Sequence, residues 1–268
     1  MSDRLTEQVR AVMEDASRRA IMPRYRSLSA GEIENKATDD VVTVADHESE
    51  AILTEGLAKI LPEANVVGEE AAEDDPAIMD RLGLGLCWIV DPLDGTNNFA
   101  AGKPPFGVLV ALADGGETIA GWIYDCQSDR FCHAGRGRGA FVDGDRVTAR
   151  TSEQSPPVAA ISTIFLDAAE RKAVREHIAP HYRLVDIPRC AAEQYPRLAL
   201  GENDVSLFNR TLPWDHAAGA LWLEEAGGKV ARLDGSEYRP DDWQRAGLIG
   251  AASHELWNEL AERVAAMG

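Results

Sequence analysis

Apolar positions along this chain recur at two spacings, and the places where one gives way to the other divide it into elements. Leu5, Val9, Val12, Met13, Ala16 and Ala20 keep a helical period, which predicts an amphipathic helix from just after Ser2 to about Ile21, ended by Pro23. Residues 28 to 40 are mostly polar and aperiodic, as in an exposed loop or a loose hairpin, and include Lys36. Ile52, Leu53, Leu57, Ile60 and Leu61 mark one face of a second helix, which Asp46 can cap and Pro62 stops. The run Leu86, Cys87, Trp88, Ile89, Val90 is apolar without alternation, as in a short strand buried on both faces. Phe106 to Leu112, Thr118 to Tyr124 and Arg130 to His133 are strand-like runs with turn chemistry between them, an antiparallel meander.

Around residues 152 to 157 the composition shifts to Ser, Gln and Pro, and short strands begin to alternate with helices. Val158 to Ser162, Leu184 to Ile187, Val205 to Phe208, Lys229 to Arg232 and Leu248 to Ala251 read as strands of a parallel sheet. Glu255 to Ala266 and the stretches between these strands read as helices, and Gly227-Gly228 stops the one that begins at Asp215. The pattern therefore predicts an α+β half, 1–153, with an antiparallel sheet, and an α/β half, 154–268. Gly135-Arg136-Gly137-Arg138-Gly139 looks like a phosphate loop but lacks the lysine-serine ending and a following helix, so a hairpin bend is the better reading. Glu73, Asp74, Asp75 and Asp80 read as a solvated loop.

Composition narrows the partners. In 268 residues, 45 acidic against 27 basic side chains give a formal net charge of −18. Such a chain repels nucleic acid and anionic membranes, and it has no basic track for a nuclease substrate, so neither is expected as a partner. The four cysteines form no C-x-x-C pair, and there is no apolar leader and no apolar run of membrane-spanning length. A cytoplasmic location with reduced thiols is the expectation. The six histidines lack zinc-ligand spacing; only His216, next to Asp215, stands near other candidate ligands.

The chemistry concentrates just past the continuous apolar run, in Asp91-Pro92-Leu93-Asp94-Gly95-Thr96-Asn97-Asn98-Phe99. Two carboxylates three residues apart offer oxygen-only ligands of the kind Mg²⁺ selects, and Gly95 lets the backbone approach a ligand. Read alone, the same residues also suit an Asx-rich turn.

The stretch resembles the signature of the inositol monophosphatase family, and two further segments extend the resemblance in the expected order. These are Gly68-Glu69-Glu70, which follows a strand, and Trp214-Asp215-His216-Ala217-Ala218-Gly219 with Glu225-Ala226-Gly227-Gly228 after it. The resemblance implies a layered α-β-α-β-α sandwich, shared with fructose-1,6-bisphosphatases, and a Mg²⁺-dependent, lithium-sensitive phosphomonoesterase that forms a homodimer. By the same resemblance, Glu69, Asp91 and the Leu93 carbonyl hold one Mg²⁺; Asp91, Asp94 and Asp215 hold a second; and a third lies near Glu69. Catalytic roles fall to Glu69 and Thr96, which orient the attacking water, and to Asp46, which accepts a hydrogen bond from Thr96. Asp94, Gly95, Thr96 and Asp215 would meet the small-molecule phosphomonoester.

The chain also departs from the family. Members acting on inositol carry a glutamate seven residues before the final aspartate, where this chain has Phe208, and a Gly-Ser/Thr-Ala segment is replaced near Cys190 by Ala191-Ala192-Glu193-Gln194. Glu193, Asn209 and Arg210 are then the candidates for other polar substrate contacts. Histidinol phosphate, a sugar bisphosphate such as fructose 1,6-bisphosphate and a nucleoside 3′-phosphate stand beside inositol phosphate as substrates. A regulatory protein that keeps the fold and acts by binding is the alternative of another class.

Overall fold

The computed structural model describes residues 3–37, 40–163 and 166–267. The first periodic segment forms α1 (Asp3–Ala16), prolonged by a wider π turn over Ser17–Ile21. The polar stretch after it is an antiparallel hairpin of β1 (Ile33–Ala37) and β2 (Asp40–Thr43). Lys36 lies in β1, its side chain outside the described residues. Thr43, not Asp46, is the N-cap of α2 (Val44–Ile60). A cap must precede the helical residues, and Thr43 keeps an extended backbone; Asp46 closes the capping box by accepting from the Thr43 amide at 2.8 Å.

Seven strands follow one another across the larger sheet. β3 (Asn65–Gly68) is joined to β4 (Leu86–Asp94) by α3 (Glu69–Asp74) and a 3₁₀ segment over Pro76–Gly83, and these two strands are parallel. After α4 (Thr96–Ala100) the sheet continues antiparallel through β5 (Gly107–Asp114), β6 (Glu117–Asp125), β7 (Phe131–Gly135), β8 (Gly139–Val142) and β9 (Asp145–Val147). The acidic stretch expected as a loop is thus helical. Asp75 caps the Ala77 amide ahead of Pro76, and Ile78, Met79 and Leu82 turn inward while Glu73, Asp74 and Asp80 stay in solvent.

The rest of the chain builds a five-stranded sheet in the order β11-β10-β12-β14-β13. Its elements are β10 (Val158–Ile161), α5 (Ala168–Ala173), β11 (Arg183–Val185), α6 (Ala191–Ala199), β12 (Val205–Phe208), α7 (Pro213–Glu225), β13 (Lys229–Ala231), β14 (Leu248–Ala251) and α8 (His254–Ala265). The expected parallel sheet is mixed. Helical crossovers do keep β10, β11 and β12 parallel, but β14 comes back from β13 through a loop with no crossover helix, and it inserts antiparallel between β12 and β13.

Five layers result. β4 explains its unbroken apolar run: Trp88 and Val90 join the core shared with α1 and α2, while Cys87 and Ile89 join the core shared with α6 and α7. α7 is buried around nearly its whole circumference because it lies between the two sheets, touching β4 to β7 on one side and β13 on the other. A Cβ on Gly219 would sit 2.0 Å from the Tyr195 ring, so a glycine there permits the close approach of α6 to α7. The outer face of the smaller sheet packs Ile161, Val205, Ile249 and Ala251 against Trp257 and Leu260 of α8.

Candidate functional site

β4 does not end in a free turn. It runs on to Asp94, with its register against β5 slipping between Asp91 and Asp94, so the two aspartates leave the ladder without leaving the sheet. The Leu93 amide donates to Asp91 Oδ1 at 3.1 Å, which holds that carboxylate. Gly95 then turns the chain into α4 with φ +85°, and a Cβ there would lie 2.8 Å from the Pro105 carbonyl oxygen. Only glycine meets both demands at ease. Thr96, the first residue of α4, places its hydroxyl oxygen 3.0 Å from Asp46 Oδ1 and 2.8 Å from the Leu93 carbonyl oxygen.

Two further elements tie the turn down. The α6 N-terminus reaches Asp94 Oδ2 with the Ala192 amide at 2.6 Å and the Cys190 thiol at 3.1 Å. α2 contributes Ser49, whose hydroxyl donates to the Pro92 carbonyl at 2.7 Å, and Glu50, which accepts from the Glu70 and Ala71 amides and so anchors the start of α3, where Glu69 sits.

Glu69, Asp91, Asp94 and Asp215 all line one cavity of about 190 Å³, together with Leu93, Gly95 and Thr96. Asp91 is pushed well above the usual carboxylate range, first by burial and then by the charges of Glu69, Asp94 and Asp215. Asp94 is raised by burial, partly offset by its bonds from Ala192 and Cys190. Asp46 is raised to about 6 by burial, which its bonds from Thr43 and Thr96 only partly oppose. Among the described residues no three His, Cys, Asp or Glu side chains close into a tight ligand shell; the four acids line the cavity, and the other three disfavour the charge on Asp91. An all-oxygen donor set under that electrostatic load fits Mg²⁺, whose charge would offset the repulsion by attracting each carboxylate.

Other predicted positions fall differently. Arg210 and Asn209 line the cavity, as do Phe208, Asn97, Cys190 and Gln194. Glu193 does not: α6 turns it toward Arg130 (2.6 Å) and Arg197 (2.8 Å), and these two ion pairs occupy the carboxylate expected to meet substrate. His216 is a strut, not a ligand. Its Nε2 faces the Arg210 carbonyl at 3.1 Å and must carry the proton, leaving Nδ1 to accept from the Tyr195 hydroxyl at 2.8 Å; burial lowers its pKa to about 4. The contacts that pattern reading missed are those of Cys190 and Ala192 with Asp94, made across nearly a hundred residues without a local signal. A further cavity residue, Arg189, was also unmarked by any motif.

Comparison with known proteins follows the same lines as the geometry. The family model described as "Inositol monophosphatase family" matches residues 4–267. The inositol-1-monophosphatase of Bacillus subtilis is 29% identical over 229 residues, covering 84% of this chain and 83% of that protein. The Nus factor SuhB of Escherichia coli is 30% identical over 225 residues, covering 80% of each. The crystal structure of the extragenic suppressor protein SuhB from Bartonella henselae superposes with a TM-score of 0.82 at 26% identity, covering 98% of both chains.

Proposed function

The chain belongs to the inositol monophosphatase family, and from that premise we propose that it hydrolyses a small phosphomonoester with the help of Mg²⁺. The observation that carries this reading is the gathering of Glu69, Asp91, Asp94 and Asp215 around one cavity, where burial first, and then the charges of the other three acids, hold Asp91 well above the usual carboxylate range. Glu69, Asp91, Asp94, Asp215 and the Leu93 carbonyl would hold the metal, whose chemistry is to neutralise charge on the phosphate and make water a better nucleophile. The chain's own residues supply position. Thr96 donates to the ionised Asp46, so a lone pair of its hydroxyl oxygen is left to accept from a water; the Glu69 carboxylate can accept that water's second hydrogen. Fixing nucleophile and phosphate in one geometry contributes to the rate beside that charge neutralisation.

The substrate is not expected to be inositol phosphate. Phe208 lines the cavity, stacked on Tyr195 with centroids 5.6 Å apart and edge-on to His216, and an aromatic ring cannot accept the hydroxyl hydrogen bond that a glutamate would. Losing such a partner costs roughly 1–3 kcal/mol. A substrate panel at fixed Mg²⁺ tests both parts. Phosphate release that chelator abolishes is expected, as is inhibition by millimolar Li⁺, with inositol 1-phosphate a mediocre substrate that improves in Phe208→Glu. Inositol 1-phosphate best by tenfold would overturn the reading of Phe208, and silence across the panel the reading as a phosphatase. The name of the Escherichia coli relative, a Nus factor, favours a second reading as a regulatory binding protein on this fold. That role would survive Asp94→Asn, whereas turnover would not.

A further inference from the structure

The buried stripe of α2 runs through Asp46, Ser49, Glu50, Leu53 and Leu57, which follow one another at helical spacing. Its second half is apolar, as a core-facing helix requires; its first half is not. Asp46, Ser49 and Glu50 are 1%, 0% and 8% exposed, and each is bonded to a different element, as buried polar groups must be. Asp46 meets the Thr96 hydroxyl at the start of α4, and Ser49 holds the carbonyl of Pro92, between Asp91 and Leu93 in β4. Glu50 takes the start of α3: its Oε2 accepts from the Glu70 amide at 2.8 Å and its Oε1 from the Ala71 amide at 2.9 Å.

A helix is ordinarily capped by the residue just before it. α3 is not. Its N-cap is Gly68, which has no side chain, and a Cβ there would collide with the Glu50 carboxylate, so a local cap and Glu50 exclude one another. A local cap could satisfy one of the same amides and still leave α3 free to shift against β4. The Glu50 carboxylate instead ties residues 69–71 to the helix that already holds the turn from Asp91 to Thr96 through Ser49 and Asp46. We propose that Glu50 is a positioning residue, which sets the place of Glu69 relative to Asp91 and Thr96 and thereby the affinity for Mg²⁺ and the rate of hydrolysis. The proposal rests on the phosphatase reading and adds to it a residue that is not among those lining the cavity.

The test compares wild type with Glu50→Ala, Glu50→Gln and the double variant Glu50→Ala/Gly68→Ser, in which a serine just before α3 supplies the cap locally. For each, kcat and KM are measured on the best monoester of the panel, the Mg²⁺ dissociation constant by isothermal titration calorimetry, and Tm in chelator. Glu50→Ala should lower kcat and weaken Mg²⁺ binding, each roughly ten- to a hundredfold, with KM changed by no more than about twofold. Glu50→Gln keeps one acceptor oxygen and should fall between Glu50→Ala and wild type. The added serine should raise the Tm of Glu50→Ala while kcat and Mg²⁺ affinity stay low. Recovery of both along with Tm would make Glu50 a cap and nothing more, and overturns the proposal. So does a Glu50→Ala protein whose kcat and Mg²⁺ affinity both stay within about twofold of wild type. If Glu50→Ala does not fold, Glu50→Gln decides by the same twofold limit, about the smallest change these measurements separate from wild type. A wild type that binds Mg²⁺ but hydrolyses no monoester overturns the phosphatase reading alone, and the Mg²⁺ constants then decide on Glu50. A wild type that neither binds Mg²⁺ nor turns over overturns the two together.

Discussion

Asp46 is a buried carboxylate that must stay ionised to accept the Thr96 hydroxyl, yet burial raises its pKa to about 6. Activity is therefore expected to fall as pH drops through about 6, because a protonated Asp46 offers Thr96 a poorer acceptor. Stability should respond with the opposite sign. The folded pKa lies above the ordinary value of 3.8, so this group favours the fold at low pH and loses that contribution as pH rises through about 6. A kcat profile between pH 5 and 8 on wild type and Asp46→Asn checks it: the acid limb should flatten in the variant, at lower turnover. At this scale the sequence was legible where neighbours in the chain are also neighbours in the site, as from Asp91 to Thr96. It was partly legible at Glu193, whose pairing with Arg197 follows helical spacing, although the partner Arg130 comes from the loop between β6 and β7. It was silent on Cys190, because only the packing of α6 brings that thiol to Asp94.

Among the elements, the glycine-rich bend between β7 and β8 shows how a tempting motif is settled by its partner. The Gly137 and Gly139 amides both point at an anion, but the anion is the chain's own Glu225, at 2.6 Å from each. The bend is an anion nest filled by the last residue of α7, and it clamps the central helix to the hairpin. Two charge-assisted bonds are at stake. Glu225→Ala is expected to cost about 1–3 kcal/mol in urea unfolding and to leave kcat unchanged, since neither the bend nor Glu225 lines the cavity. A large loss of turnover without loss of stability would restore the phosphate-loop reading. Helical periodicity revealed α1 and α2, each with one buried face, and an unbroken apolar run revealed β4, which is buried on both. Pattern reading failed where polar composition masked a short helix, as at Pro76–Gly83, and where topology depends on which strands end up adjacent, as with β14.

Taken as a whole molecule, the site joins layers. Glu69 hangs from the junction of β3 and α3, Asp91 and Asp94 from β4, and Asp215 from the first turn of α7, which lies between the sheets. None of this convergence can be read from spacing, because the acids come from segments up to 146 residues apart (215 − 69); the resemblance to a family implied it, and the fold brings it about. Gathering four carboxylates, two of them buried, works against folding unless a cation joins them. With Asp91 and Asp94 both raised, the metal-free protein is destabilised at these groups as pH rises above the ordinary carboxylate range, since the folded state must then ionise acids it holds protonated more readily than the unfolded chain does. A ligand that binds only the native state adds about 2.7 kcal/mol at a hundredfold excess over its Kd, which for a chain of this size is roughly 5–10 °C in Tm. Mg²⁺ should therefore raise Tm by several degrees, and by more at pH 8 than at pH 5.5, where protons compete for the same oxygens. Asp94→Asn should melt higher than wild type in chelator, because one repelling charge is gone, and should gain less from Mg²⁺. Differential scanning calorimetry across pH with Mg²⁺ or chelator measures all three effects, and a Tm indifferent to Mg²⁺ at pH 8 would mean that these carboxylates do not share a cation.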